Sequence, residues 1–180
     1  LENTHNRCSG MVMPPADTKA VRDVSHASAV AVHLDGARIF NAAVYLETPV
    51  AELVKAADTV QFCLSKGLSA PIGSLVCGTN SDVATARRWR KTLGGAMRQV
   101  GVIAAAGIVS LESMVDRIAE DHSNARKLAH GLSMIPGINI EPDDLPTNLV
   151  FLSMDPNKSP LIAKELGDKG VKVSASPVSY

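Results

Sequence analysis

A chain of 180 residues, 46% hydrophobic and of mean hydropathy near zero, can bury a core and keep a polar surface. Eighteen basic residues balance eighteen acidic ones, which leaves no basic stripe for nucleic acid and no polybasic segment for an acidic membrane. Cys8, Cys63 and Cys77 are scattered, odd in number and outside any C-x-x-C spacing. That argues against a disulfide framework or a zinc site and fits a reducing, cytoplasmic compartment.

The elements follow in chain order. Pro14 and Pro15 lead into a helix over 16–27, and "AVAVHL" (29–34) reads as a buried strand ending at Asp35 and Gly36. Thr48 as N-cap and Pro49 in the first turn predict a short helix to 57. Strands follow at 59–64 and 73–78, with a loop containing Lys66 between them. Asn80 or Ser81 caps a helix carrying Arg87, Arg88, Arg90 and Lys91 as far as Gly94 and Gly95. From Met97 two helical stretches reach about 134, softly broken near Gly107. The uncharged run 99–111 lies within them, is shorter than the roughly 20 apolar residues of a membrane crossing, and reads as a buried helix. "IPGINI" then ends the helix and starts a strand, "TNLVFLSM" (147–154) is another, a helix spans 159–168, and "GVKVSA" is a last strand.

Strands alternating with helices predict an α/β fold with a mainly parallel sheet, whose strand carboxyl ends gather ligands. A boundary near Arg117 divides it into a large α/β unit, residues 1–116, and a small α+β unit, 117–180. The chain opens on Leu1 without an initiator methionine or signal peptide, so it is expected to be part of a longer protein.

Three features can carry chemistry: "HLDGARIFNA", the Lys66 loop and "RKTLGGAMRQVG". Singly each has a plain structural explanation, as a turn, a solvated lysine and a helix C-cap. Together, Asp35 at one strand end and Lys66 at the next are what a pyridoxal phosphate site needs. The amine condenses with the cofactor aldehyde, and the carboxylate keeps the pyridine nitrogen protonated so that the ring accepts electrons.

"ENTHNR", "HLDGARIFNA", "FCLSKGLSAPIGS" and "KTLGGAMRQVGVIAAAG" together resemble the L-threonine aldolases of the low-specificity or L-allo type, which have the aspartate-aminotransferase fold. The likeness runs from residue 1 to about 152. It implies that this chain holds the C-terminal part of the large pyridoxal-phosphate-binding domain and most of the small domain. The family's phosphate loop and ring-stacking histidine would precede it, and a second carboxylate-binding arginine would follow. By the same resemblance Lys66 is the Schiff-base lysine, Asp35 pairs with the pyridinium and Arg38 binds the substrate carboxylate. Lys91 and Arg98 would reach the cofactor phosphate of a partner subunit. The implied reaction is retro-aldol cleavage of L-threonine or L-allo-threonine to glycine and acetaldehyde, in a homodimer or homotetramer with sites at subunit interfaces. The alternatives are another lyase or a hydroxymethyltransferase of the same fold, or a non-catalytic fragment that associates with a full-length enzyme.

The histidines give less. His33 shares the strand side of Asp35 and reads more readily as a satisfied core residue than as a ring partner. His5 is given no role, and His26, His122 and His130 are expected on the surface. Cys63 reads as a small buried hydrophobe.

Overall fold

Pro15 occupies the first turn of α1 (Pro15–Ala27), where its missing N–H costs nothing. The structure is a computed structural model that describes residues 1–175. The end of α1 is tied to the sheet through Asp58. Its Oδ2 accepts from the Val32 N–H at 2.6 Å and contacts His26 Nε2 at 2.9 Å. The backbone donor, then His26, holds this carboxyl below its ordinary range.

β1 (His33–Asp35) begins later than the predicted 29–34: Ala29 takes a left-handed φ of 54°, outside the extended region, and the Val32 N–H is taken by Asp58. After the turn at Gly36 comes α2 (Ile39–Tyr45), a helix the sequence pattern did not announce. α3 (Val50–Val54) follows. Its N-cap is Pro49 rather than Thr48, whose hydroxyl donates backwards to Leu46 O at 3.0 Å. β2 (Thr59–Cys63) pairs parallel with β1, Asp35 opposite Gln61. β3 (Ser74–Cys77) then pairs antiparallel with β2, Cys63 opposite Ser74. The expected parallel pairing therefore holds for β1 and β2, while β3 turns back because the 64–73 connection carries no crossover helix. The order is β1-β2-β3, and residues 1–3 lie along β1: Asp35 N donates to Leu1 O at 2.8 Å and Asn3 N to Asp35 O at 3.0 Å.

α4 (Asn80–Thr92) is capped by Thr79 rather than Asn80 or Ser81. Thr79 Oγ1 accepts from Asp82 N while Asp82 Oδ2 accepts from Thr79 N, a reciprocal capping box. Gly94 ends the basic helix at φ 81°. α5 (Gly101–Ser113) and α6 (Ile118–Ser133) are separated at 114–117, not near Gly107. That glycine is buried inside α5, where an added Cβ would come 2.9 Å from Leu64 Cδ1. Close packing, not a break, explains it. The two strands expected around 135–140 and 147–154 shrink to one antiparallel bridge, Asn139 to Ser153. α7 (Ser159–Asp168) matches its expectation, whereas 171–175 is not a strand and 176–180 lies outside the described residues.

Two adjoining clusters form the core. Leu34, Ile39, Ala42, Leu53 and Val60 pack β1 and β2 against α2 and α3. Leu64, Leu68, Ala70 and Ile118 pack the lysine loop onto α6. Phe40 and Phe62 join them edge to face at 5.4 Å. Among the described residues no helix is long and apolar enough to cross a membrane.

Candidate active site at the ends of β1 and β2

Strand alternation sends Leu34 and Val60 into the core and leaves Asp35 and Gln61 on the opposite face. Asp35 is the last residue of β1, and its side chain closes the turn that follows: Ala37 N donates to Asp35 Oδ1 at 3.0 Å. Gln61 Nε2 donates to the same oxygen. Gly36 N donates to Gln61 O at 2.8 Å, and a Cβ at Gly36 would lie 3.1 Å from that oxygen and 3.0 Å from Ile39 Cβ. A side chain there would crowd both neighbours, so the close approach favours glycine. Arg38 is next, the half-buried N-cap residue of α2.

Lys66 stands on the connection from β2 to β3. Leu64 N donates to Gly73 O at 2.9 Å, Ala70 N to Leu64 O at 3.0 Å, and Ser69 N to Lys66 O at 2.8 Å. Leu64, Leu68 and Ala70 are buried beneath, while Ser65, Lys66 and Ser69 are exposed. The apolar residues of the loop thus pin it to α6 and lift the lysine outward. Ser69 has a left-handed φ of 60°, which costs about 1 kcal/mol in a residue with a Cβ. Confinement of the lysine by its small neighbours, which those residues suggest in sequence, is not found: Lys66 is exposed, and among the described residues its ammonium has no hydrogen bond or ion pair. Asp35 Oδ2 is likewise unpartnered among them.

Beneath the loop is a polar network that the sequence reading passed over. Asn41 Nδ2 lies 3.1 Å from His122 Nε2 and 3.4 Å from Asn148 Oδ1. A Cβ at Gly67 would come 3.0 Å from Asn41 Oδ1, so the residue after Lys66 rests on this amide. His122 is 3% exposed, not on the surface as expected. Burial first, and Arg126 after it, lowers its pKa. An amide N–H pointing at Nε2 requires a neutral ring protonated on Nδ1. Asn41 falls inside a motif quoted above. His122 had no signal beyond its i, i+3 and i+7 spacing with the apolar positions Ala125 and Ala129 on one face of α6.

The remaining candidates lie apart. His33 is exposed rather than a core residue and contacts Thr59 Oγ1 at 2.8 Å through Nδ1. His5 pairs with Glu2 at 3.3 Å. Cys63 is half-buried and accepts from Ser74 Oγ at 3.5 Å. Lys91, in the last turn of α4, and Arg98, between α4 and α5, are exposed, and no hydrogen bond or ion pair joins them to Asp35 or Lys66 among the described residues.

The chain brings a held carboxylate and a lysine loop to neighbouring ends of a parallel strand pair. It superposes on a candidate L-allo-threonine aldolase of Listeria monocytogenes with a TM-score of 0.83 at 20% identity, over 97% of this chain and 50% of that one. It also superposes on a Leishmania major threonine aldolase with a TM-score of 0.69 at 15% identity, over 93% and 48%. Those likenesses establish the fold. The chain belongs to the beta-eliminating lyase family, whose model matches residues 1–155. Among similar proteins, low-specificity L-threonine aldolase 1 of Arabidopsis thaliana is 44% identical over 92% of this chain and 46% of its own length. The low specificity L-threonine aldolase of Escherichia coli is 39% identical over 99% and 52%. The chain spans about half the length of the curated relatives it matches.

Proposed function

We propose that this chain carries the lysine and aspartate half of a pyridoxal-phosphate-dependent aldehyde-lyase that cleaves L-threonine or L-allo-threonine to glycine and acetaldehyde. The observation that carries the proposal is the pairing of β1 with β2. It puts Asp35, with one oxygen held and the other open, at the end of one strand, and an unpaired Lys66 just beyond the end of its neighbour.

These residues fit the cofactor. Lys66 offers an amine with no competing partner, and Asp35 offers an acceptor for a protonated ring nitrogen. When bound, pyridoxal phosphate supplies an electron sink for the bond between Cα and Cβ. Asp35 keeps that sink effective by holding the ring proton, Lys66 anchors the aldehyde end, and Arg38 presents a planar guanidinium to a carboxylate. Lys91 and Arg98 serve the phosphate of a second subunit's site.

Residues 1–116 form the cofactor-binding part and 117–180 the start of the small domain. The parent enzyme is a cytoplasmic homodimer or homotetramer of threonine catabolism with interfacial sites. Exposed apolar side chains on α4 and α5, among them Trp89 and Val102, support association. They equally support a non-catalytic role in which the chain binds a full-length copy. Borohydride reduction of the chain with pyridoxal phosphate, followed by mass spectrometry, tests the site. A reduced adduct on Lys66 supports it, and its absence from a folded chain overturns catalysis by this chain alone. Aldehyde release from the two threonine diastereomers is then measured.

A further inference from the structure

We infer that Gln61 is a positioning residue that fixes the Asp35 carboxylate so that one of its two oxygens stays free for a ligand. The inference rests on the reading of Asp35 as the acceptor for a protonated ring nitrogen, but its geometry does not depend on any cofactor.

Gln61 is the register partner of Asp35 across the parallel β1–β2 pair, so the two side chains leave the sheet on one face. A glutamine is an unusual choice for a middle strand whose other residues are Thr59, Val60, Phe62 and Cys63, since strands favour β-branched and aromatic side chains. Its amide is half-buried and donates to Asp35 Oδ1. An ionised carboxylate only accepts, which fixes the amide with its nitrogen towards Asp35.

The Ala37 N–H donates to that same Oδ1 at 3.0 Å. A turn of this kind occurs after many Asp-Gly pairs and leaves the outer part of the side chain free to swing about Oδ1. A second donor arriving from the neighbouring strand removes that freedom, because one side-chain rotamer brings Oδ1 within reach of both donors. Oδ2 then remains as the acceptor, with no donor among the described residues. The backbone enforces the arrangement: Gly36 N donates to Gln61 O at 2.8 Å, and any side chain at Gly36 would crowd that oxygen. The Asp-Gly pair and Gln61 thus form one unit, in which the glycine admits the neighbouring strand and the glutamine orients the acid.

The test uses the full chain, first without ligand. NMR couplings that report χ1 of Asp35 are expected to show one rotamer in the wild type. They should show averaging in Gln61→Met, which keeps side-chain length and removes the donor. Gln61→Glu, which sets a second carboxylate against the first, should average likewise and covers the case in which Gln61→Met fails to fold. Titration with pyridoxal phosphate should then show binding weakened about 3- to 10-fold by Gln61→Met, the range expected for losing one modest hydrogen bond, and no further weakening when the same change is made in Asp35→Ala. A single Asp35 rotamer retained in the folded variants, or an equal loss of binding in the Asp35→Ala background, overturns the inference. A wild type that takes up no pyridoxal phosphate overturns cofactor binding by this chain alone, while the couplings still decide the role of Gln61.

Discussion

Around β1, α2 and β2, the aliphatic residues Leu34, Ile39, Leu53 and Val60 are at most 7% exposed. Along β3, α4 and α5, by contrast, Val76, Trp89 and Leu93 are 48, 60 and 78% exposed, and Val102 reaches 80%. Within the second region α5 is as apolar a segment as any in the chain, while α4 is largely polar. The run 99–111 reads as a buried helix, yet Gly107 and Ser110 are the buried residues of α5, Ile103 and Leu111 are half-buried, and Val102, Ile108 and Val109 face outward. Hydropathy states how much apolar surface a segment must hide, and says nothing of whether the same chain supplies the cover. The first region has its cover within the chain, from α2 and α3 over a sheet closed by residues 1–3. The second leaves Trp89, Leu93 and Val102 uncovered among the described residues, and a surface of that kind commonly marks association.

The comparison can be broken first where the well-covered region meets the proposed chemistry. Lys66→Ala should abolish the borohydride adduct and lower aldehyde release, wherever the wild-type chain shows it, by about 1000-fold or more. Retention of the adduct on another residue would move the site out of the loop. Next in size is Leu34→Ala in the covered cluster. A side chain at 0% exposure should cost about 2–5 kcal/mol of stability, read from the denaturant midpoint.

His122 gives a smaller effect with a defined sign. Burial lowers its pKa from 6.5, so the unfolded chain binds the proton more readily. Its contribution is complete above pH 6.5, declines as pH falls from there to the lower folded value, and then levels off. Denaturation curves against pH should show this decline, and His122→Gln should remove it while loosening the Asn41 contact. Thr79→Ala, which deletes one half of the capping box, should cost about 1 kcal/mol even though α4 is mostly exposed. The smallest change is expected at Ile108→Ser on the outer face of α5, within about 0.5 kcal/mol for the single chain. A loss as large as that of Leu34→Ala would show this face to be covered after all, by another copy, and sedimentation at the same concentration would report it.

What the sequence made legible follows the same division. α1 and α7 could be read because prolines mark their starts, and β2 because its apolar run is bounded by Asp58 and the lysine loop. α2 could not, because Ile39 to Tyr45 carries neither a capping side chain nor a charged face. The strands expected beyond residue 135 have apolar runs of the right length but only the Asn139–Ser153 bridge to pair them, and strand propensity without a partner does not make a sheet. At the site, Asp35 and Lys66 were visible through spacing and the motifs around them. Gln61, Asn41 and His122 were not, since each acts through a residue from a distant part of the chain. Asn41 and His122 are 81 positions apart, and no local pattern connects them.

The 64–73 connection has a consequence in time. Because β2 and β3 form a hairpin, the turn that carries Lys66 can begin to close from near neighbours on the scale of about 1–10 μs, before Leu64, Leu68 and Ala70 pack onto Ile118. Asp35 must instead find Gln61, 26 positions along, across an intervening pair of helices, and such non-local pairing comes later. The hairpin around Lys66 is therefore expected to form before Asp35 meets Gln61. A folding experiment that follows both residues should see their order of arrival as two separate steps, with Asp35 the one delayed by changes in the length of the 46–49 connection between α2 and α3.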